Sequence, residues 1–387
     1  MKICFIVVDI VPYHVARFHA CRNLGEIIVI DGGSEFCVGY SSPKVTGISL
    51  QSATPKTLNK VFRSVTPDVL IVPGWASPIS RQATLWAIQK KCPVIVLSDS
   101  QLYGYRRNVL IDFIKKIVIN FYSAAIVAGT RHTQYMQYFG MSANRIFTGV
   151  DVVDNLHFAR GAAIARKYPT KLRAKLNLPE RYILLVNRLI QEKNIPSLLQ
   201  AYKYYLTSRK DGPLKLVIAG DGPLKPDLLK LVEKYDLNDH VHFKGSVAYD
   251  ELPKYLGLAE IFILNSNSET WGLAVNEAMA AGLPVLVSEQ CGSSPDLVRI
   301  GENGFIYDGN NPKLLASYLC NFSDNAYDLE AMAAASQAII SKWTPELFAK
   351  SVREAIVCSY SYPPQVSLFS RLLLSILCLI DRIKRQR

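Results

Sequence analysis

Short runs of aliphatic and β-branched residues alternate along this chain with longer stretches whose apolar positions recur at helical spacing. In the first half the apolar runs fall at residues 3–8, 27–30, 69–72, 94–97 and 125–128, and helical spacing marks 13–24, 78–90, 109–122 and 130–139. Apolar runs without polar alternation predict strands buried on both faces, and so a parallel sheet covered by helices on each side. Right-handed crossovers then give a doubly wound α/β domain. Residues 151–180 lose the strand signal; they are basic, helix-prone and punctuated by Pro169 and Pro179. The alternation then restarts, with strands at 182–186, 216–219, 241–243, 261–264 and 285–287 and helices at 196–206, 224–235, 250–257 and around 276–280. No residue-level repeat joins the halves, so their likeness is one of plan.

The expected organisation is therefore a Rossmann-like domain at 1–155, a linker region at 156–180 and a second such domain at 181–345. A helix at 346–362 can cross back to the first domain, and an apolar-basic tail occupies 363–387. In that tail, residues 366–380 contain one charge, Arg371, before the closing Asp381-Arg382-Ile383-Lys384-Arg385-Gln386-Arg387. Fifteen residues fall short of the ~20 that a spanning helix needs. Two readings stay open: an interfacial anchor with its basic residues on anionic head groups, or a helix docked on the protein's own groove or on a second subunit.

Composition narrows the class. At 387 residues, 49% hydrophobic and 20% charged, the chain is too long for one ordinary core and fits a two-domain globular enzyme. Eight cysteines are scattered singly, with no Cys-x-x-Cys pair, which argues against a disulfide framework or zinc site and for a reducing compartment. The run at 3–8 is too short for a signal peptide and reads as a first strand. The net charge of +12 is uneven: +8 over residues 1–160, −1 over 161–340 and +5 over 341–387. An anionic surface touching only part of the molecule is expected. No nucleic-acid module is present, so nucleic acid is not an expected partner; an anionic membrane face suits the greasy tail better. Arg106, Arg107, Lys115 and Lys116 flank and line the apolar 109–122 stretch, whose narrow polar stripe predicts that most of it is core, with its basic end open to lipid phosphates or a diphosphate-lipid acceptor.

Ligands of open α/β sheets bind at the carboxyl ends of strands, and three such ends in the second half carry unusual chemistry. After the 182–186 strand, Arg188 and Lys193 stand five residues apart before a helix, a plausible diphosphate clamp or, equally, a solvated basic loop. After 216–219, Gly220-Asp221-Gly222-Pro223 allows close backbone approach, although it is also an ordinary strand-to-helix turn. After 261–264 comes Asn265-Ser266-Asn267-Ser268, then Glu269-Thr270-Trp271-Gly272-Leu273, then a helix carrying Glu277. Backbone N–H groups around Gly272 and Leu273 at a helix start suit an anion. Glu269 would repel phosphate and so suits sugar hydroxyls, and Glu277 can accept a pair of ribose hydroxyls.

The spacing Glu269-Thr270-Trp271-Gly272-Leu273 to Glu277 resembles the signature of family 4 retaining glycosyltransferases, the "glycosyl transferases group 1" type. Agreeing in order are Asn187-Arg188 with Glu192-Lys193-Asn194, Gly220-Asp221-Gly222-Pro223, Phe243-Lys244-Gly245, Ala280-Ala281-Gly282-Leu283-Pro284-Val285 and Gly301-Glu302-Asn303-Gly304. The match is dense over about 180–345. In the first half it rests on Gly149-Val150-Asp151-Val152-Val153-Asp154-Asn155 and the α/β order. Trp271 stands where the family more often has Phe.

That resemblance implies the GT-B fold, two Rossmann-like domains facing across a cleft, with a nucleotide-diphosphate sugar held by the second domain and the acceptor by the first. It implies retention of anomeric configuration with no metal or other cofactor. The implied donor-binding set is Arg188 and Lys193 on the diphosphate, Glu277 on the ribose, and Glu269 with Gly222, Thr270, Trp271, Gly272 and Leu273 on sugar and phosphate. Relatives often carry a Gly-Gly loop after the first strand, and this chain has Asp9-Ile10-Val11-Pro12-Tyr13-His14 instead. There Asp9, His14 and Arg17 are acceptor-side candidates, His14 being as readily a packing residue. Asp99, at the carboxyl end of the 94–97 strand, is with Glu269 the catalytic candidate, orienting an acceptor hydroxyl or stabilising positive charge on the sugar.

The expected function is a retaining, metal-independent hexosyl transfer to a lipid-linked or polysaccharide acceptor of the cell envelope (lipopolysaccharide or exopolysaccharide), by a cytoplasmic protein peripheral to the inner membrane face. The alternatives are a sugar-nucleotide epimerase or hydrolase of the same fold, and an inactive nucleotide-sugar-binding protein.

Overall fold

The structure is a computed structural model describing residues 1–33, 48–103, 108–209, 212–364 and 366–384, with only the backbone of 382–384. Arg106, Arg107 and the last three residues lie outside the described part. The chain divides into two compact units, Met1–Val152 with Pro345–Arg387, and Val153–Thr344.

In unit 1 the strands are β1 (Lys2–Val7), β2 (Glu26–Asp31), β3 (Ser49–Ser52), β4 (Val69–Pro73), β5 (Val94–Ser98), β6 (Ala124–Val127) and β7 (Ile146–Thr148). They form a parallel sheet in the order β3-β2-β1-β4-β5-β6-β7. Its first helices are α1 (Pro12–Cys21), α2 (Leu58–Val65), α3 (Pro78–Lys90), α4 (Val109–Ile119) and α5 (Thr130–Tyr138). Ile3 to Ile6, Val69 to Val72 and Val94 to Val96 are all buried, as both-face burial demands of unalternating apolar strands. The helices start where capping chemistry allows: Ser77 accepts from Ser80 N ahead of Pro78, and Asn108 accepts from Leu110 and Ile111 N.

Unit 2 opens with α6 (Asn155–Lys167) and α7 (Pro169–Leu176). The stretch expected as a linker is thus part of the second body, since α6 packs on other helices of that unit and Asp154 caps it. Then follow β8 (Tyr182–Val186), α8 (Ile195–Thr207), β9 (Lys215–Ala219), α9 (Lys225–Lys234), β10 (Val241–Gly245), α10 (Leu252–Leu258) and β11 (Ile261–Leu264). The unit closes with α11 (Leu273–Ala280), β12 (Val285–Ser288), α12 (Ser294–Leu297), β13 (Gly304–Tyr307), α13 (Pro312–Ser323) and α14 (Leu329–Ile340). Its parallel sheet runs β10-β9-β8-β11-β12-β13.

The chain then rejoins unit 1 through α15 (Pro345–Ser361), which packs on α1 and on β5, β6 and β7. The last element, α16 (Leu368–Lys384), packs on α3 and buries Leu374 and Cys378 in the unit 1 core. It is half docked and half bare, because Leu368, Phe369, Leu372, Ile376, Leu379 and Ile380 are exposed. A second expectation is also corrected. The apolar 109–122 stretch is core only toward its end, at Val118, Ile119, Phe121 and Tyr122; Val109 and Leu110 are 84% and 75% exposed, with Ile111 and Phe113 also outside. No helix among the described residues is long and apolar enough to cross a membrane. The seven described cysteines are all free thiols.

Candidate functional site

In each sheet the strand order reverses beside the first strand of the unit, between β8 and β11 in unit 2 and between β1 and β4 in unit 1. Such switch points leave a crevice at the strand carboxyl ends, because flanking crossovers run to opposite faces.

In unit 2 the three loops singled out above follow β9, β8 and β11, which are neighbours in the sheet, and backbone hydrogen bonds bind them into one surface. Asn187 N donates to Ala219 O (3.0 Å), Leu189 N to Asp221 O (2.9 Å) and Leu224 N to Leu189 O (3.0 Å). A Cβ on Gly220 would lie 1.8 Å from Asn187 O, and one on Gly222 2.6 Å from Leu189 O, so only glycine lets the two loops touch. On the other side Asn267 N donates to Glu192 O (2.8 Å), and Asn265 Nδ2 to Asn194 O (2.9 Å).

Across this surface Lys193 Nζ stands 2.5 Å from Glu269 Oε2, with Ser266 Oγ donating to the same oxygen at 3.4 Å and Asn187 Nδ2 to Ser266 Oγ at 3.3 Å. Lys193 is 8% exposed, and a buried ammonium needs such a partner. The sequence reading gave Lys193 to phosphate and Glu269 to sugar as separate duties; the structure joins them. The pair is neutral in sum, so the unbalanced positive charge here is that of Arg188, exposed and without a side-chain partner among the described residues.

Gly272 is the N-cap of α11 at φ 91°, a left-handed conformation that costs a side-chain-bearing residue energy. A Cβ there would also meet Cys291 Sγ at 2.8 Å and Leu264 Cδ2 at 2.9 Å. The turn leaves the first N–H groups of α11, from Leu273 on, without intrahelical acceptors at the positive end of the helix dipole. The segment before it is held from behind, by Gly292 N to Glu269 O (3.0 Å) and Ser293 N to Trp271 O (3.1 Å). Trp271 is 1% exposed; its Nε1 donates to Asn276 Oδ1 (2.9 Å) and its ring lies 5.2 Å from Trp343. The indole is thus a core anchor, which leaves the backbone after Glu269 as the part of this segment for the expected donor contact. Thr270 and Leu273 are half-buried beside it.

The carboxyl of Glu277, in the second turn of α11, has no hydrogen-bond or ionic partner among the described residues, and burial pushes it up to about 8. Desolvation disfavours the charged form of this carboxyl, and a hydrogen-bond donor or cation brought to it would favour that form again.

In unit 1 an open cavity of about 320 Å³ lies at the ends of β4 and β5, lined among others by His14, Trp75, Asp99, Lys115, Tyr122 and Asp151. A second, of about 310 Å³, adjoins the end of β1 and includes Asp9; His14 and Arg17 line both. Asp99 is exposed at the rim, just past β5. Arg17 is 4% exposed: its Nε donates to Val152 O (3.1 Å), one Nη contacts Asp151 Oδ1 (3.4 Å), and its guanidinium sits 4.6 Å from the Tyr13 ring centroid. These contacts tie the guanidinium to residues 151–152 while it lines both cavities, where its expected acceptor contact would lie. His14 Nδ1 accepts from Val11 N (3.3 Å), closing the first turn of α1. Burial, then the nearby Arg17 cation, push His14 down to about 3, so it is a neutral hydrogen-bonding group. Trp75 and Tyr122 escaped the sequence reading, and Asp151 entered it only within the Gly149-Val150-Asp151-Val152-Val153-Asp154-Asn155 run; the position of Pro73-Gly74-Trp75 at a strand's carboxyl end was the available signal.

The sequence pattern of the glycosyl transferases group 1 family matches residues 170–345. Alpha-monoglucosyldiacylglycerol synthase of Streptococcus pneumoniae is 38% identical over 118 residues, 30% of this chain and 26% of that protein. The GDP-mannose-dependent alpha-(1-6)-phosphatidylinositol monomannoside mannosyltransferase of Mycobacterium tuberculosis is 31% identical over 182 residues, 45% of this chain and 46% of that one. The chain thus spans less than half the length of these curated relatives. Among solved structures, Anabaena Alr3699/HepE in complex with UDP superposes with a TM-score of 0.73 at 15% identity, covering 92% of this chain and all of that one. Two parallel Rossmann-like sheets of this likeness make the fold GT-B, and residues 170–345 belong to the glycosyl transferases group 1 family.

Proposed function

We propose that the protein is a retaining, metal-independent glycosyltransferase that moves a hexose from a nucleoside-diphosphate donor to a lipid-linked or polysaccharide acceptor. The observation that carries the donor half is the Lys193–Glu269 pair set beside the bare N-terminus of α11, the free Arg188 and the unpartnered Glu277. An ammonium has three donors, so Lys193 can keep Glu269 and still donate to a phosphate. Arg188, Lys193 and the helix end would spread the charge that grows on the leaving diphosphate. Glu277 would accept the ribose hydroxyls, and Glu269 a sugar hydroxyl. The anomeric carbon–oxygen bond to the diphosphate breaks while the acceptor oxygen bonds on the same face, its proton passing to the departing phosphate oxygen. Asp99, at the rim of the unit 1 cavity, would orient that acceptor hydroxyl.

Lipid-linked acceptors are supported by the lipids named in the two curated relatives, and we infer from them peripheral attachment at the inner face of a membrane. Charge supports them too. Unit 1 has 23 Lys and Arg against 11 Asp and Glu, the whole +12, while unit 2 has 21 against 21. The bare apolar faces of α4 and α16 belong to the charged unit. Mass spectrometry of products from a panel of nucleotide sugars, with and without bacterial lipid extract, tests the reading. A new glycolipid or glycan supports it. Donor consumed equally without acceptor would mark a hydrolase or epimerase, and donor bound but never consumed a binding protein; either result sinks it.

A further inference from the structure

The C-terminal helix reaches the unit 1 cavity through one arginine. Arg81, in the first turns of α3, is gripped from one side by Asp381 of α16, with Nε to Oδ2 and Nη2 to Oδ1 both at 2.7 Å. With its remaining amino group it donates to Trp75 O (2.9 Å) and Ala76 O (2.7 Å). Both side chains of the ion pair are largely buried, at 12% and 17% exposure, which limits screening of this fork-to-fork contact. Trp75 and Ala76 are the wall of the 320 Å³ cavity contributed by the β4–α3 loop. Leu374 and Leu377 of α16 share a small void with Trp75, Arg81, Val118 and Tyr122, so the same helix also packs behind that wall.

Among the described residues no backbone N–H outside the helices and strands donates to Trp75 O or Ala76 O, and a planar guanidinium satisfies both only while its other edge is held in register. Asp381 sits near the end of α16, whose opposite face is apolar and bare, with Leu368 89% exposed. Resting on the membrane reading above, we propose that Arg81 is a positioning residue. Through the Asp381–Arg81 clasp, contact of the bare α16 face with an anionic lipid surface holds the 74–77 loop, and so shapes the cavity. The partner is an anionic bilayer rather than a protein groove, because exposed Arg371 flanks the bare face, within the unit that holds all the excess positive charge.

The experiment compares hydrogen exchange at the amides of 74–77 in the full chain, alone and with vesicles of phosphatidylcholine containing phosphatidylglycerol, alongside co-sedimentation. In the wild-type protein, vesicles should slow exchange at 74–77 by about fivefold or more. Asp381→Asn should raise exchange there without vesicles and abolish the vesicle effect while still sedimenting. Asp381→Glu should restore both, which a merely structural contribution to folding would not do; a near-wild-type melting temperature for Asp381→Asn excludes global unfolding, and Arg81→Lys offers a second break of the clasp. Unchanged exchange in Asp381→Asn and Arg81→Lys, or wild-type sedimentation without protection, overturns the coupling while leaving membrane attachment intact. Failure of the wild type to bind the vesicles overturns the coupling together with the membrane reading.

Discussion

Lys193 Nζ and Glu269 Oε2 lie 2.5 Å apart, an ion pair formed across 76 residues of sequence by the loops after β8 and β11. Each residue is thereby both part of the candidate donor site and a support for the loop that carries the other. Removing one partner of a largely buried pair strands the other charge, at a cost of about 3 kcal/mol. Lys193→Ala is therefore expected to lower unfolding free energy by that order in urea titration. It should also weaken nucleoside-diphosphate binding at least about tenfold, the equivalent of ~1.4 kcal/mol. If Lys193→Ala and the double variant with Glu269→Gln were equally stable to their parent, the pair would not be structural.

Glu277 ties donor binding to protons. Its carboxyl is raised to about 8 in the fold from an ordinary 4.5, so the folded protein holds a proton there that the unfolded chain releases. Its contribution to stability is fullest below pH 4.5 and is lost as pH rises from 4.5 through 8. Ribose hydroxyls donating to this carboxyl favour its ionised form, so nucleotide binding near pH 7 should release a proton. Calorimetry in buffers of different ionisation enthalpy reads that release directly. Glu277→Gln should abolish it and gain stability above pH 8 relative to wild type; an unchanged proton count would remove Glu277 from the ribose.

His14 gives the opposite sign. With the imidazole pushed down to about 3 from 6.5, the unfolded chain takes up a proton first. Its stabilising contribution is complete above pH 6.5 and is lost as pH falls from 6.5 toward 3. His14→Asn should flatten the acid limb of a stability-versus-pH curve measured by thermal melting. A titration of His14 itself near pH 6.5, followed by NMR, would contradict its placement.

Gly272→Ala tests the turn into α11. A left-handed non-glycine residue costs about 1–2 kcal/mol, and the added methyl must displace Cys291 Sγ, 2.8 Å away, or Leu264. Nucleoside-diphosphate affinity should fall more than about tenfold as the α11 N–H groups turn away from the anion. A variant that is destabilised yet binds normally would detach the turn from the site.

Much of this was legible in the chain itself, and the limit falls at a definite physical boundary. Uninterrupted apolar runs such as Ile3–Ile6 and Val69–Val72 determine buried parallel strands by burial on both faces, and the polar run Asn265-Ser266-Asn267-Ser268 after an apolar strand marks a loop before a helix, with the Glu269 to Glu277 spacing adding only a family resemblance. Strand β3, Ser-Leu-Gln-Ser, and the three-residue β7 gave no such signal, because edge strands need neither length nor apolar residues on both faces. Local pattern likewise says which residues are apolar but not which face of a helix finds a partner. It therefore overstated how much of α4 is core, and left α16 undecided between docking and lying bare, when Leu374 is buried and Leu372 exposed two residues apart. The pairing of Lys193 with Glu269, of Arg17 with residues 151–152 and of Arg81 with Asp381 depends on distances between strand ends and helices remote in sequence. Only tertiary structure decides those distances, since the energy of a charge depends on what lies within a few ångströms of it in space.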